Sequence, residues 1–215
     1  KKLKEVFKTS APIAVIASSG TGAVEACMAS TCSPGDTVIT YNAGKFGERW
    51  GKVGRAYGMN VIELEFEWGK PLDMDVLAKT LKEHPETRAV VVTQTETSTG
   101  TVSDIKKLGE IVSQTEAVSI VDAVSAFAAE KLPQDEWKID MVCTGSQKAL
   151  ILPPRLGIAS AREKAPKLME TAKCPTFYFN LRSYLKSIAK DDTPYTPAVN
   201  MFYALEQALD MILEE

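Results

Sequence analysis

The run Ala89-Val90-Val91-Val92-Thr93 limits the possible folds more than any other stretch: five residues, three of them valine, with no charge and no break. β-Branched residues in an uninterrupted apolar run predict a strand covered on both faces, as inside a parallel sheet. Similar short runs recur at 13–17, 37–41, 61–66, 118–122, 141–143 and 156–159, which makes seven strands in all. Helical patterns lie between them at 21–31, 46–57, 73–83 and 105–113. Pro34-Gly35-Asp36 supplies the turn into the second strand, and Gly58 is a helix-stop signal. Strands alternating with helices at this spacing predict an α/β fold, a mainly parallel seven-stranded sheet flanked by helices. From Lys164 onward the pattern changes to helices separated by Pro175, Pro194 and Pro197. The last of these, over 198–215, carries the apolar stripe Met201, Leu205, Leu209 and Ile212.

A chain of 215 residues with 45% apolar and 25% charged residues can bury one substantial core. Its net charge of -3 provides no basic face, so nucleic acid is not an expected partner. No apolar run approaches the roughly 20 residues that a membrane helix needs. The opening stretch, Lys1 to Lys8, lacks the apolar core of a signal peptide and reads as mid-helix, as if the chain began inside a longer protein. Four cysteines without a CxxC pair read as reduced, packed thiols of a cytoplasmic protein. His84 is the single histidine, beside Pro85 at a helix end, so histidine-based zinc sites and serine–histidine relays are not expected and no metal is predicted.

In open α/β sheets, ligands gather beyond the carboxyl ends of the strands. Residues able to do chemistry follow the strands here. Ser18-Ser19-Gly20-Thr21-Gly22 comes after the first, Asn42 to Gly47 after the second, and Gln94 to Gly100 after the fourth. Asp122 ends the fifth, and the sixth leads into Thr144-Gly145-Ser146-Gln147-Lys148-Ala149. Lys148 stands among small and apolar neighbours. It is either an ordinary surface lysine or a lysine for amine chemistry: Schiff base, general base or phosphate contact. Ser19-Gly20-Thr21-Gly22, opening a helix, offers free N–H groups to a phosphate or is plain turn chemistry. Asp122, ending an apolar strand, needs a cationic or hydrogen-bonding partner, or it caps a helix through Val124-Ser125-Ala126. Read together, the three describe a ring with its protonated nitrogen on Asp122, its aldehyde on Lys148 and its phosphate on Ser19–Thr21: pyridoxal 5'-phosphate.

Four motifs in order, Ser18 to Ala26, Glu96-Thr97-Ser98-Thr99-Gly100, Val121 to Ser125 and Gly145 to Ala149 with Pro153-Pro154, resemble the class V aminotransferases. The similarity is to the alanine–glyoxylate / serine–pyruvate branch, of fold type I, and spans about 11–197. It implies a pyridoxal-phosphate-binding large domain over 1–165. Residues 166–215 would be a helical segment leading toward a C-terminal small domain absent from this chain. Lys148 would be the Schiff-base lysine and Asp122 the partner of the ring nitrogen. Ser19, Gly20, Thr21 and Gln147 would hold the phosphate, and Phe46, in place of the branch's frequent tryptophan, would stack on the ring. Thr97 would bond near the ring oxygen and Val124 would pack beneath the ring. Thr196, in a loop at 193–197 with no obvious partner in its own subunit, would reach the neighbouring subunit's phosphate, implying a homodimer with shared sites.

The activity so implied moves an amino group between a small amino acid (alanine, serine or aspartate) and a 2-oxo acid such as glyoxylate or pyruvate. Asp122 would keep the ring nitrogen protonated, and Lys148 would carry the substrate's α-proton, with ping-pong kinetics. The family's arginine for the substrate carboxylate would fall in that small domain, and the N-terminal segment that helps build the family's site would also be absent from this chain. Arg155 stands where glycine is usual. Phosphoserine aminotransferase shares the Gln-Lys pair. Cysteine desulfurases carry histidines where this chain has Gln147 and Phe46. A non-catalytic protein of the same fold, or a two-domain nucleotide binder, are the readings of another class.

Overall fold

In a computed structural model describing residues 1–162 and 164–214, the predicted alternation is realised. The chain runs through α1 (Lys2–Phe7), β1 (Ile13–Ile16), α2 (Gly20–Thr31), β2 (Thr37–Asn42), α3 (Gly47–Ala56) and β3 (Asn60–Glu65). It continues through α4 (Met74–Glu83), β4 (Ala89–Thr93), β5 (Thr95–Glu96), β6 (Thr101–Val102), α5 (Ile105–Val112) and β7 (Val118–Asp122). β8 (Met141–Gly145), β9 (Gly157–Ala161), α6 (Lys164–Thr171), α7 (Leu181–Ile188) and α8 (Val199–Glu214) complete it.

Seven strands form one sheet in the order β1-β9-β8-β7-β4-β2-β3. β8, β7, β4, β2 and β3 are parallel neighbours, whereas β9 is antiparallel to both β8 and β1. β1 therefore runs with β8, and β9 alone opposes the rest. Every residue of β4, β7, β8 and β9 is buried, as the unbroken valine run predicts. Alternate side chains divide between two cores. Val90, Val92, Val121 and Val142 meet Phe7, Leu77, Leu108, Leu205 and Leu209 on one face. Ala89, Val91, Ile120 and Met141 meet Val24, Met28, Trp50, Met169 and Leu181 on the other. Each large aliphatic chain so buried contributes roughly 1.5–3 kcal/mol. Helices after Lys164 add side chains to both cores, Leu205 and Leu209 to one and Met169, Leu181 and Tyr184 to the other.

Three helix starts follow a cap residue of a type that favours that position. Asp73 accepts from the Asp75 and Val76 amides, Asp104 from Lys107, and Asn180 from Ser183. Two features lie outside the sequence reading. Residues 95–102 fold as a small antiparallel hairpin, β5 with β6, where the sequence suggested only a loop. Residues 123–139 form turns with no helix, so Asp122 caps none. All four cysteines are free and buried.

Gly109 is buried in α5, and a Cβ there would overlap the Trp137 carbonyl oxygen. Helix propensity alone predicts that alanine stabilises this position by about 1 kcal/mol. The overlap reverses the sign: Gly109→Ala is expected to lower the denaturant midpoint, by about 1–3 kcal/mol of stability.

Candidate active site

Six of the seven strands of the main sheet end on one edge, and the site is built on their tips. β7 lies between β4 and β8, with Asp122 level with Thr93 on one side and Cys143 on the other. The Asp122 side chain is 3% exposed. One of its carboxylate oxygens accepts the Val124 amide at 3.0 Å, a local turn that leaves most of the carboxylate's acceptor capacity unused. Burial pushes Asp122 up to about 6. The negative charge of Glu96 pushes the same way, while the Val124 amide, the Arg49 charge and the Trp50 indole N–H oppose it.

Lys148 follows β8 on a loop that Ser146 pins from within. The Ser146 hydroxyl donates to the Pro153 carbonyl at 2.6 Å and accepts from the Arg155 and Leu156 amides at 3.2 and 3.1 Å. Two backbone bonds tighten the turn, from Ile151 to the Lys148 carbonyl and from Leu152 to the Ser146 carbonyl. Ile151 sits in this turn at φ 56, a conformation that β-branched residues rarely adopt. Lys148 itself is exposed.

Facing Lys148 is the first turn of α2. Ser19 caps it, accepting the Gly22 amide at 3.4 Å, so the N–H groups of Gly20 and Thr21 stand at the positive end of a helix of 12 residues. A Cβ on Gly20 would overlap Val124, which explains glycine there: the two tips approach too closely for any side chain.

A cavity of about 270 Å³ joins these parts. Ser19, Gly20, Thr21, Phe46, Thr97, Asp122, Val124, Gln147 and Lys148 all line it, so nine of the ten residues singled out from the sequence converge. Thr196 does not. It lies in a different hollow, with Ala17, Tyr178 and Tyr195. Its loop also has partners in its own chain, contrary to expectation. Tyr195 stacks on Tyr178 with ring centroids 4.9 Å apart and donates to the Phe177 carbonyl at 2.7 Å. An aromatic among prolines gave no indication of this, because its partners, Tyr184 included, are 11 or more residues away.

Arg49, Trp50, Thr93, Thr95 and Ser125 also line the cavity and were not foreseen. Arg49 donates to the Thr21 hydroxyl at 2.7 Å and lies 5.0 Å from the centre of the Phe46 ring. Trp50 donates to Thr93 at 3.0 Å, and Thr97 shares a hydrogen bond of 2.6 Å with Ser125. The helical spacing of Phe46, Arg49 and Trp50 was a usable signal, since residues three and four apart share a face. Arg155 is placed apart, on a larger hollow of about 850 Å³ that shares only Ser19 with the first.

The residues fit a phosphorylated, cationic ring. Gln147 Oε1 and Thr95 Oγ1 are buried without a hydrogen-bond partner, a helix N-terminus faces them, and a buried carboxylate waits for a positive charge.

This architecture is that of solved aminotransferases. The structure matches ureidoglycine–glyoxylate aminotransferase from Bacillus subtilis with a TM-score of 0.94 at 30% identity, over 100% of this chain and 56% of that one. Alanine–glyoxylate aminotransferase from Nostoc sp. gives a TM-score of 0.92 at 27% identity, covering 100% and 58% of the two chains. By sequence, the chain is 42% identical to a protein named "Soluble hydrogenase 42 kDa subunit" from Anabaena cylindrica, over 100% of this chain and 57% of the relative. It is 35% identical to serine–glyoxylate aminotransferase from Arabidopsis thaliana, over 99% and 55%. The profile of the family Aminotransferase class-V matches residues 1–215, and the chain belongs to that family. It spans a little over half the length of these relatives.

The raised value of Asp122 has a definite sign. A carboxyl held at about 6 when folded and 3.8 when unfolded favours the native state while protonated. Its contribution is lost as pH rises from about 4 to 6, amounting to roughly 3 kcal/mol above that window. Asp122→Asn is therefore expected to make the ligand-free protein more stable than wild type at neutral pH, by up to that amount, and to flatten its stability profile across the window. Thermal melts at a series of pH values measure both.

Proposed function

We propose that the protein containing this chain is a pyridoxal-phosphate-dependent aminotransferase. The observation that carries the proposal is the convergence of Asp122 and Lys148, from neighbouring strand tips, on one cavity that also takes in the start of α2. When bound, the cofactor supplies an electron sink for charge that develops at a substrate's α-carbon. Asp122 would hold the ring nitrogen in its protonated form, its buried carboxylate gaining an ion-pair partner that none of the described residues gives it. Ser19, Gly20, Thr21 and Gln147 would hold the phosphate through helix N–H groups and short polar side chains. Phe46 would cover one ring face and Val124 the other, while Thr97, paired with Ser125, would bond the ring oxygen. Lys148 Nζ would hold the cofactor's aldehyde carbon and, once displaced, take a proton at the α-carbon of the substrate.

Substrates are proposed from the names of relatives. Serine–glyoxylate aminotransferase of Arabidopsis thaliana and L-aspartate–glyoxylate aminotransferase of Paracoccus denitrificans, each 35% identical, favour a small amino acid as donor and a 2-oxo acid such as glyoxylate or pyruvate as acceptor. Similarity to phosphoserine aminotransferase (21% identical) and cysteine desulfurase (14%) is a likeness of fold alone. Residues 1–165 are proposed as the cofactor-binding large domain and 166–215 as the segment that leads to a small domain. A homodimer is the proposed assembly, favoured by Ile151 at 84% exposure three residues past Lys148, with Phe177 at 82%. Thr196 would then act across the dimer interface. A cytoplasmic location is in keeping with four free thiols and with no helix of the described residues being long and apolar enough to cross a membrane.

The test is direct. Full-length protein mixed with pyridoxal phosphate should turn yellow, and borohydride should fix the label on the peptide containing Lys148, as read by mass spectrometry. Lys148→Ala should remove the fixed label and at least a thousandfold of any transamination rate, in line with loss of a covalent and acid–base group. Label fixed elsewhere, or none, would sink the proposal.

A further inference from the structure

α3 begins without a cap of its own. Phe46 occupies the cap position and its side chain makes no capping bond, so the first amides of the helix need an acceptor from elsewhere. Glu96 supplies it from fifty residues away. Its Oε2 accepts from the Phe46 and Gly47 amides at 3.0 and 2.9 Å, and its Oε1 from the Ser98 amide and hydroxyl at 3.1 and 2.6 Å. Ser98 in turn accepts the Lys45 amide at 3.0 Å. Glu96 is 1% exposed, and a Cβ on Gly44 would overlap its carboxylate, so the chain at 44–47 is drawn tightly over it. Four hydrogen bonds to one buried carboxylate, at a helix's positive end, are an unusually complete arrangement for a residue that does not itself line the cavity.

What α3 carries makes this matter. Phe46, Arg49 and Trp50, all at the start of α3, line the Lys148 cavity, and so does Thr97 beside Glu96. We infer that Glu96 is a positioning residue: by capping α3 from the β5–β6 hairpin, it fixes the Phe46–Arg49–Trp50 wall against which the cofactor ring is held. Its charge also acts on Asp122, pushing it upward in the same sense as burial does. The inference rests on the cofactor reading above for its ligand, although its structural half can be measured on ligand-free protein.

In Glu96→Gln the side chain keeps its shape but turns an NH₂ group toward one pair of donors, so two acceptor sites are lost. Hydrogen exchange of full-length protein, followed by mass spectrometry, should show peptides over 44–50 exchanging about tenfold faster, the equivalent of one lost charged hydrogen bond. Peptides over β4 and β7 should be unchanged. With pyridoxal phosphate added, the visible circular dichroism of the bound cofactor, which reports how the ring is set in its wall, should change. Gly44→Ala displaces the same carboxylate and should act in the same direction, which keeps the test open if Glu96→Gln does not fold. Unchanged exchange over 44–50 overturns the inference, and so does faster exchange with unchanged dichroism, which would make the cap merely structural. Wild-type protein that takes up no pyridoxal phosphate would remove the cofactor reading and the positioning role with it. That result is told apart from the others because it appears before any substitution is made.

Discussion

A carboxylate buried at the tip of a central strand is the constraint from which the rest of the site follows. Asp122 is out of water, accepts one backbone amide and is pushed up to about 6 by its surroundings. A chain that only had to fold would gain from a neutral residue there. The cost is intelligible if the position is kept for a cation that arrives from outside. The neighbours suit that reading, since Trp50 and Thr93 bond one another beside it and Gln147 keeps a buried carbonyl oxygen unpaired.

Around that carboxylate the fold invests its polar bonds in holding loops still. Ser146 spends its hydroxyl on three backbone groups of the turn that bears Lys148. Glu96 spends its carboxylate on the start of α3 and on its own hairpin. Gly20 yields its side chain so that the α2 terminus can approach Val124. These residues shape the cavity from behind. Loops at the ends of strands are where chemistry is most easily placed and most easily lost to motion, and two of them here are braced by a buried polar residue, Ser146 and Glu96.

Much of this was legible in the sequence, and the reason is periodicity. Ala89 to Thr93 reads as a doubly covered strand because nothing in it tolerates water, and its neighbours follow from the turns between them. Once the strands are placed, their tips are placed too, which is why Ser19, Asp122, Gln147 and Lys148 could be set around one cavity. Arg49 and Trp50 went unnoticed because they come from the flank of a helix, not a strand tip, and an arginine on a helix has many ordinary uses. Thr95 and Ser125 carry no distinctive side-chain signal. The β5–β6 hairpin is two residues on each side, too short for a period to show. The loop at 193–197 seemed to lack partners because Tyr178 and Phe177 lie far from it along the chain.

The sequence by itself determined the layered α/β plan, the edge of the sheet where the candidate residues gather, and the presence there of one amine and one carboxylate. These depend on local pattern: runs of apolar residues, turn residues, and the alternation that makes a sheet parallel. Only the tertiary structure decided that β9 runs against its neighbours, that Glu96 caps a helix fifty residues away, that Arg49 and Trp50 close the cavity, and that Thr196 lies outside it. Those are contacts between residues distant in the chain, set by how surfaces pack and where buried hydrogen-bonding groups find partners, and no period within the sequence encodes them.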